Sequence, residues 1–279
     1  METITRFAPS PTGFLHLGHA HAALAAQARA RRDRGRCLLR LEDIDAARCR
    51  PEFAAACQED LAWLGLAWDG QARAQSRHLG EYRAALGRLA AMELTYPCFC
   101  TRADIAGAAA APHAAPDGGI RYPGTCRGLS RAERDGRVAA GQPYAMRLDV
   151  EATLARLARP LAFHEEGEGE VACDPRPFGD VVLARKDTPS SYHLCVTHDD
   201  ALQGVTVVTR GIDLRPATAV HRLLQEAMGW PAPRYAHHPL LLDAHGRRLA
   251  KRDAATSLRQ LRERGITPAQ VRNLAGFPD

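Results

Sequence analysis

The chain has 279 residues, 46% hydrophobic and 25% charged, which is enough for one large or two modest domains with a real core. It has no run of 18 or more apolar residues, and Met1 to Arg6 lacks the basic-then-apolar order of a secretory leader, so a cytoplasmic protein is expected. The net charge of +5 suits an anionic partner, and the eight cysteines, scattered along a long chain, read as buried thiols or metal ligands rather than a disulfide framework.

Ile4 to Phe7 reads as a short strand. Ala8-Pro9-Ser10-Pro11-Thr12-Gly13 cannot lie inside a helix, because two prolines and a glycine punctuate it. The alanine-rich stretch from Leu17 to Arg32 has strong helix propensity, and Gly35 ends it. Cys37 to Leu41 is a second strand, followed by the acidic Glu42-Asp43-Ile44-Asp45. Pro51 then suits the first turn of a helix carrying Phe53, Cys57, Leu61 and Leu64 at helical spacing. Strand and helix alternate, which predicts an α/β fold, a Rossmann-like doubly wound parallel sheet.

Residues 96–177 depart from that pattern. They hold four of the cysteines and an alanine-rich run from Ala106 to Pro116, and Glu165 to Glu170 reads as a mobile turn. We take them as an insertion that interrupts the parallel sheet, whose domain is expected to comprise 1–95 and 178–240. Strands are expected at Val181 to Ala184, around Tyr192 to Val196, and at Val205 to Thr209, with a helix from Pro216 to Met228. Residues 241–279 supply a loop, Asp243 to Arg252, and short helices. The last helix has Thr267 as N-cap and Pro268 at its first position.

The strongest chemical signal is Arg6-Phe7-Ala8-Pro9-Ser10-Pro11-Thr12-Gly13-Phe14-Leu15-His16-Leu17-Gly18-His19. Two histidines three residues apart sit where a loop becomes a helix. Unpaired N–H groups and the positive end of the helix dipole make such a terminus an anion site. Imidazoles there can donate to phosphate oxygens, and Gly18 removes a side chain that would block a ribose or adenine. Lys186 reads as a solvated turn cation. His198, His237 and His238 have no informative spacing and read as structural.

This string resembles the nucleotide-binding signature of class I aminoacyl-tRNA synthetases, with flanks like the glutamyl/glutaminyl branch. The resemblance implies ATP as substrate, with magnesium, and places His16, Gly18, His19 and Lys251 on it. His16, His19 and Lys251 would be the catalytic group. Arg248-Leu249-Ala250-Lys251-Arg252 stands where the family has a lysine-rich loop, with its first lysine replaced by arginine and its serine by alanine. The resemblance further implies a glutamate pocket of Arg6, Phe7, Ala8, Pro9, Ser10, Glu42, Tyr192 and Arg210. An arginine fork would take the side-chain carboxylate, and Glu42 the ammonium.

Cys98, Cys100 and Cys126 lie within one insertion, a start on a tetrahedral structural zinc site. By chemistry the usual fourth ligand is His113. The family pattern C-x-C…Y-x₃-C instead implies Tyr122, although here 21 residues separate Cys100 from Tyr122. Only short helices follow the lysine loop, so no anticodon-binding region is expected. That shape is similar to the truncated branch members that attach glutamate to the queuosine base in the anticodon of tRNA(Asp). The partners implied are glutamate, ATP and queuosine-bearing tRNA(Asp), met by a monomer. The alternative is charging the 3′ end of tRNA(Glu).

Overall fold

A computed structural model describes residues 2–108, 114–241 and 256–278. Lys251 and the rest of the lysine loop lie outside these residues, as does His113. The elements run β1 (Ile4–Phe7), α1 (Leu17–Arg32), β2 (Arg36–Leu41), α2 (Pro51–Trp63), β3 (Arg73–Ala74), α3 (Leu79–Ala91), β4 (Thr95–Cys98), α4 (Arg102–Ala108), α5 (Arg131–Ala139), β5 (Ala145–Leu148) and α6 (Val150–Leu154). They continue with β6 (Ala162–Glu165), β7 (Gly169–Ala172), β8 (Val182–Ala184), α7 (Tyr192–Leu202), β9 (Val207–Gly211), α8 (Thr218–Met228), β10 (Arg234–His238), α9 (Leu258–Glu263) and α10 (Pro268–Leu274). No helix among the described residues is long and apolar enough to cross a membrane. Two compact units result: 1–77 with 204–213 and 233–279, and 78–203 with 214–232.

The first unit is a parallel α/β layer. β1 pairs with β2, β2 with β3, and β9 with β10, all parallel. β9 abuts β1, where the N–H of Thr206 donates to the carbonyl of Ile4 at 2.9 Å. Phe7, Leu39 and Leu41 from the strands pack with Ala20, Ala23 and Leu24 of α1, Leu61 of α2, and Leu258 and Val271 of α9 and α10. The alanines let α1 lie close over the sheet. Gly35 is required where α1 turns into β2, because a Cβ there would stand 2.0 Å from the Thr3 carbonyl oxygen.

α2 carries one polar group that this packing does not satisfy. Asp60 is 1% exposed and its Oδ2 has no hydrogen-bond partner. Burial, against the opposing pull of Arg262 and Arg259, raises its carboxyl to about 6 from the ordinary 3.8. A raised folded-state value means that the fold prefers the neutral acid. That preference is fully present below 3.8 and is lost as pH rises through 6. Asp60→Asn should therefore stabilise the protein at pH 7–8 by about 1–2 kcal/mol, part of the ~1.4 kcal/mol per pH unit being offset by the new buried amide. Melting temperatures across pH check it: the gain should close by about pH 4.

The second unit has its own core of Leu89, Leu148, Leu183, Leu194, Val220 and Leu223. An antiparallel sheet orders its strands β4-β5-β8, and β6 and β7 form an antiparallel pair. Glu165 to Glu170 thus belongs to a hairpin, with Glu165 3% exposed. The strand expected around Tyr192 to Val196 is instead the start of α7. Leu194, Cys195, Val196 and Thr197 are all buried there. A helix enclosed on nearly every side loses the 3.6-residue alternation that would have identified it, leaving an apolar, strand-like run.

Candidate functional site

The site is built where the first unit's parallel strands end. β1 carries Arg6 and Phe7, then opens into Ala8, Pro9 and Ser10. β2 ends at Leu41, and Glu42 follows at once. The two loops are tied together, since the Glu42 N–H donates to the Pro9 carbonyl at 3.0 Å. The Glu42 carboxylate lies 3.5 Å from a guanidinium nitrogen of Arg40, whose own side chain is wholly buried. Open parallel sheets present ligand sites at this edge.

Two arginines converge there, each 6% exposed. Arg6 donates from Nη1 to the Thr209 carbonyl at 3.0 Å. Arg210, next along β9, donates from Nε to His237 Nε2 at 3.1 Å and lies over the Tyr235 ring at 5.3 Å. His237 thus holds a candidate arginine in place. Sequence reading missed it because only the β9–β10 register, His237 opposite Arg210, brings the two together.

The histidines form the N-terminus of α1. His16 is the N-cap, and its Nδ1 accepts the Gly18 N–H at 3.1 Å. His19, three residues on, accepts the His16 N–H on its own Nδ1 at 3.2 Å, closing a reciprocal capping box. The rings are 3.9 Å apart, centre to centre. A neutral imidazole that accepts through Nδ1 carries its proton on Nε2. Both rings therefore have Nε2–H as a donor at the positive end of a 16-residue helix, an arrangement suited to phosphate oxygens. Leu15 and His16 also bind the segment that follows the lysine loop: the Leu258 N–H donates to the Leu15 carbonyl at 2.8 Å, and His16 bridges to Ser257.

Tyr192 belongs to the second unit, as the first residue of α7. That unit also holds the cysteine cluster. The Sγ atoms of Cys98, Cys100 and Cys126 lie within 4.8 Å of one another, with Cys100 and Cys126 at 3.5 Å. Thiolates ~2.3 Å from a tetrahedral zinc would stand about 3.8 Å apart, so the donor set fits such an ion. Tyr122 Oη is 3.8 Å from Cys100 Sγ and accepts the Cys126 N–H at 2.7 Å, which puts a fourth oxygen donor at the cluster. Burial opposes ionisation of Cys126, but hydrogen bonds from Tyr122 and the Phe99 N–H outweigh it and lower the thiol below its ordinary value. Burial, with the hydrogen bond to Cys126, pushes Cys100 up to about 11. Lys186 is more than a solvated turn cation: its Nζ donates to the Phe99 carbonyl at 3.2 Å, between two of the cysteines.

A family profile described as tRNA synthetases class I (E and Q), catalytic domain, matches residues 2–276. A Rhodobacter capsulatus protein called glutamyl-Q tRNA(Asp) synthetase is 49% identical over 98% of this chain and 100% of its own length. The glutamate–tRNA ligase of Aquifex aeolicus is 39% identical over 96% of this chain and 55% of its own. A crystal structure of a glutamate tRNA ligase from Elizabethkingia meningosepticum, in complex with its amino acid, superposes with a TM-score of 0.76 at 29% identity, covering 91% of this chain and 52% of that one. The chain thus spans about half the length of the glutamate–tRNA ligases it matches.

Proposed function

This chain belongs to the class I (E and Q) tRNA synthetase family, a family of ligases, and on that premise we propose that it activates glutamate with ATP, without needing tRNA, and transfers it to the queuosine base in the anticodon of tRNA(Asp). The observation that carries this reading is the 49% identity, over 98% of this chain and all of the relative, to a protein called glutamyl-Q tRNA(Asp) synthetase.

In activation, the glutamate carboxylate attacks the α-phosphorus of ATP and pyrophosphate leaves. No enzyme nucleophile is needed, so positioning and charge stabilisation supply the rate. His16 and His19 donate from Nε2 to phosphate oxygens. Arg6 or Arg210 binds the side-chain carboxylate as a planar fork, its approach fixed by Thr209 or His237. Glu42 takes the ammonium. Lys251 is assigned the developing charge on the phosphates, and magnesium accompanies ATP. Glutamate-dependent pyrophosphate exchange measured without RNA tests this half. Strict dependence on tRNA would sink it.

Zinc, when bound, would be held by Cys98, Cys100 and Cys126, with Tyr122 as fourth ligand, and would cross-link the start of the insertion to a segment more than 20 residues on. Purified protein should carry about one zinc by elemental analysis, and Cys100→Ser should lose it. Because a structural zinc contributes roughly 10 kcal/mol to folding, chelation should lower the melting temperature sharply. Absence of metal together with three freely titrating thiols would refute the site.

A further inference from the structure

The second unit contains a cavity of about 330 Å³, and Tyr192 is the one residue of the expected glutamate pocket that lines it. Ser191 and Tyr192, where α7 begins, line it together with His193, Arg147, Phe178 and Ile120. Ser191 occupies the N-cap position of an 11-residue helix, yet its hydroxyl caps nothing. The side chain is buried, the residue being 5% exposed, and its Oγ has no hydrogen-bond partner. Leaving a buried hydroxyl unmade is unfavourable, and rotation about a single bond is all that serine needs to reach a ligand in the cavity. Arg147 repeats the pattern. Its Nη1 donates to the Asp180 carbonyl at 2.7 Å and its guanidinium lies 3.8 Å from the centre of the Tyr122 ring, but its Nε is buried and unpaired.

The remaining walls suit a flat ring. Phe178 is buried, whereas Ile120 is 56% exposed, an apolar rim open to a base face. His193 is held by a hydrogen bond, 3.2 Å long, between its Nδ1 and His221 Nε2, and His221 is only 3% exposed. The volume lies at the bottom of the ~300–1,000 Å³ range of small-ligand sites, room for one nucleoside and not for a stretch of RNA.

We infer that this cavity receives a single hydroxyl-bearing nucleoside extruded from an RNA loop, with Ser191 and Arg147 reading its polar edge and Ile120 covering its face. The inference rests on the acceptor proposed above and adds where that acceptor is recognised. Enzymes that act on a base take it out of its stack into a pocket of this kind.

The test uses the full chain and two anticodon stem-loop RNAs, identical except for queuosine or guanosine at one position. Wild-type protein glutamylating the queuosine RNA secures the acceptor itself, so the variants then probe the cavity alone. Ser191→Ala should reduce the binding preference for the queuosine RNA about tenfold, and Ile120→Asp should weaken binding of both RNAs, with melting curves confirming folded protein. Ile120 is a surface residue, so its variant remains informative if Ser191→Ala fails to fold. If both folded variants keep the wild-type affinities and preference, the cavity is not the nucleoside site. If wild type glutamylates neither RNA, the acceptor reading fails and this inference falls with it.

Discussion

Labelled glutamate should appear on tRNA(Asp) that carries queuosine and not on the same tRNA with guanosine at that position. Queuosine has hydroxyls on a cyclopentene ring, and such a hydroxyl can attack the carbonyl carbon of a glutamyl-adenylate as a ribose hydroxyl does. The O–H proton passes to a base or to solvent, an ester bond forms, and the bond to AMP breaks. Guanosine offers no hydroxyl on its base. A site built to pair with substrate hydroxyls rejects analogues lacking them by about 10⁴-fold, and here the missing group is also the nucleophile. Acid-gel separation of the labelled RNAs reads the result. Equal acceptance by unmodified tRNA(Asp), or charging of tRNA(Glu) at its 3′ end, would overturn the assignment. With arginine so dominant among the chain's 37 basic residues, binding should also weaken as salt rises.

His19→Gln is expected to separate structure from chemistry at the α1 terminus. Glutamine at the third helical position is the ordinary partner in a capping box, so it can accept the His16 N–H now taken by His19 Nδ1. The helix should keep its cap, and the melting temperature should stay within a degree or two. The imidazole Nε2–H, however, is replaced by an amide N–H that no longer stands in the same place once the glutamine oxygen accepts from His16. Loss of one donor aimed at developing charge lowers turnover by about 10²–10³-fold, with little change in the glutamate concentration for half-maximal exchange. His19→Ala loses both functions and should also destabilise the protein by about 1 kcal/mol. Equal turnover in wild type and His19→Gln would remove His19 from the phosphate site.

Much of the first unit was legible because its elements announce themselves locally. Two prolines, a glycine and an alanine run mark the β1–α1 junction, and Pro51 and Thr267-Pro268 sit at helix starts as expected. The placement of Arg6, Glu42 and Arg210 at strand ends was legible for the same reason. What stayed hidden depends on distant residues. His237 meets Arg210 only through the register of β9 and β10. α7 was misread because burial on all sides erased its period. The vacant cap at Ser191 could not be read either, because the sequence does not mark the helix that follows it and the unused hydroxyl shows only in the fold.

The way the first unit is threaded has a consequence for its biosynthesis. The N–H of Ile4 is satisfied by the hydroxyl of Thr206, 202 residues later, and α1 packs against α10 near the end of the chain. As the chain leaves the ribosome, β1 and β2 emerge first but must wait for β9, with one edge of β1 unpaired, while nearly all of the second unit is made. Long-range parallel pairing is slow to form, and an unpaired apolar edge invites association with other chains. The second unit draws most of its residues from one continuous stretch but must also wait, for α8, whose Val220 and Leu223 complete its core. Truncation before β9 should thus leave nascent chains that depend on chaperones, because β1 lacks its partner and the second unit lacks α8, which supplies Val220 and Leu223 to its core.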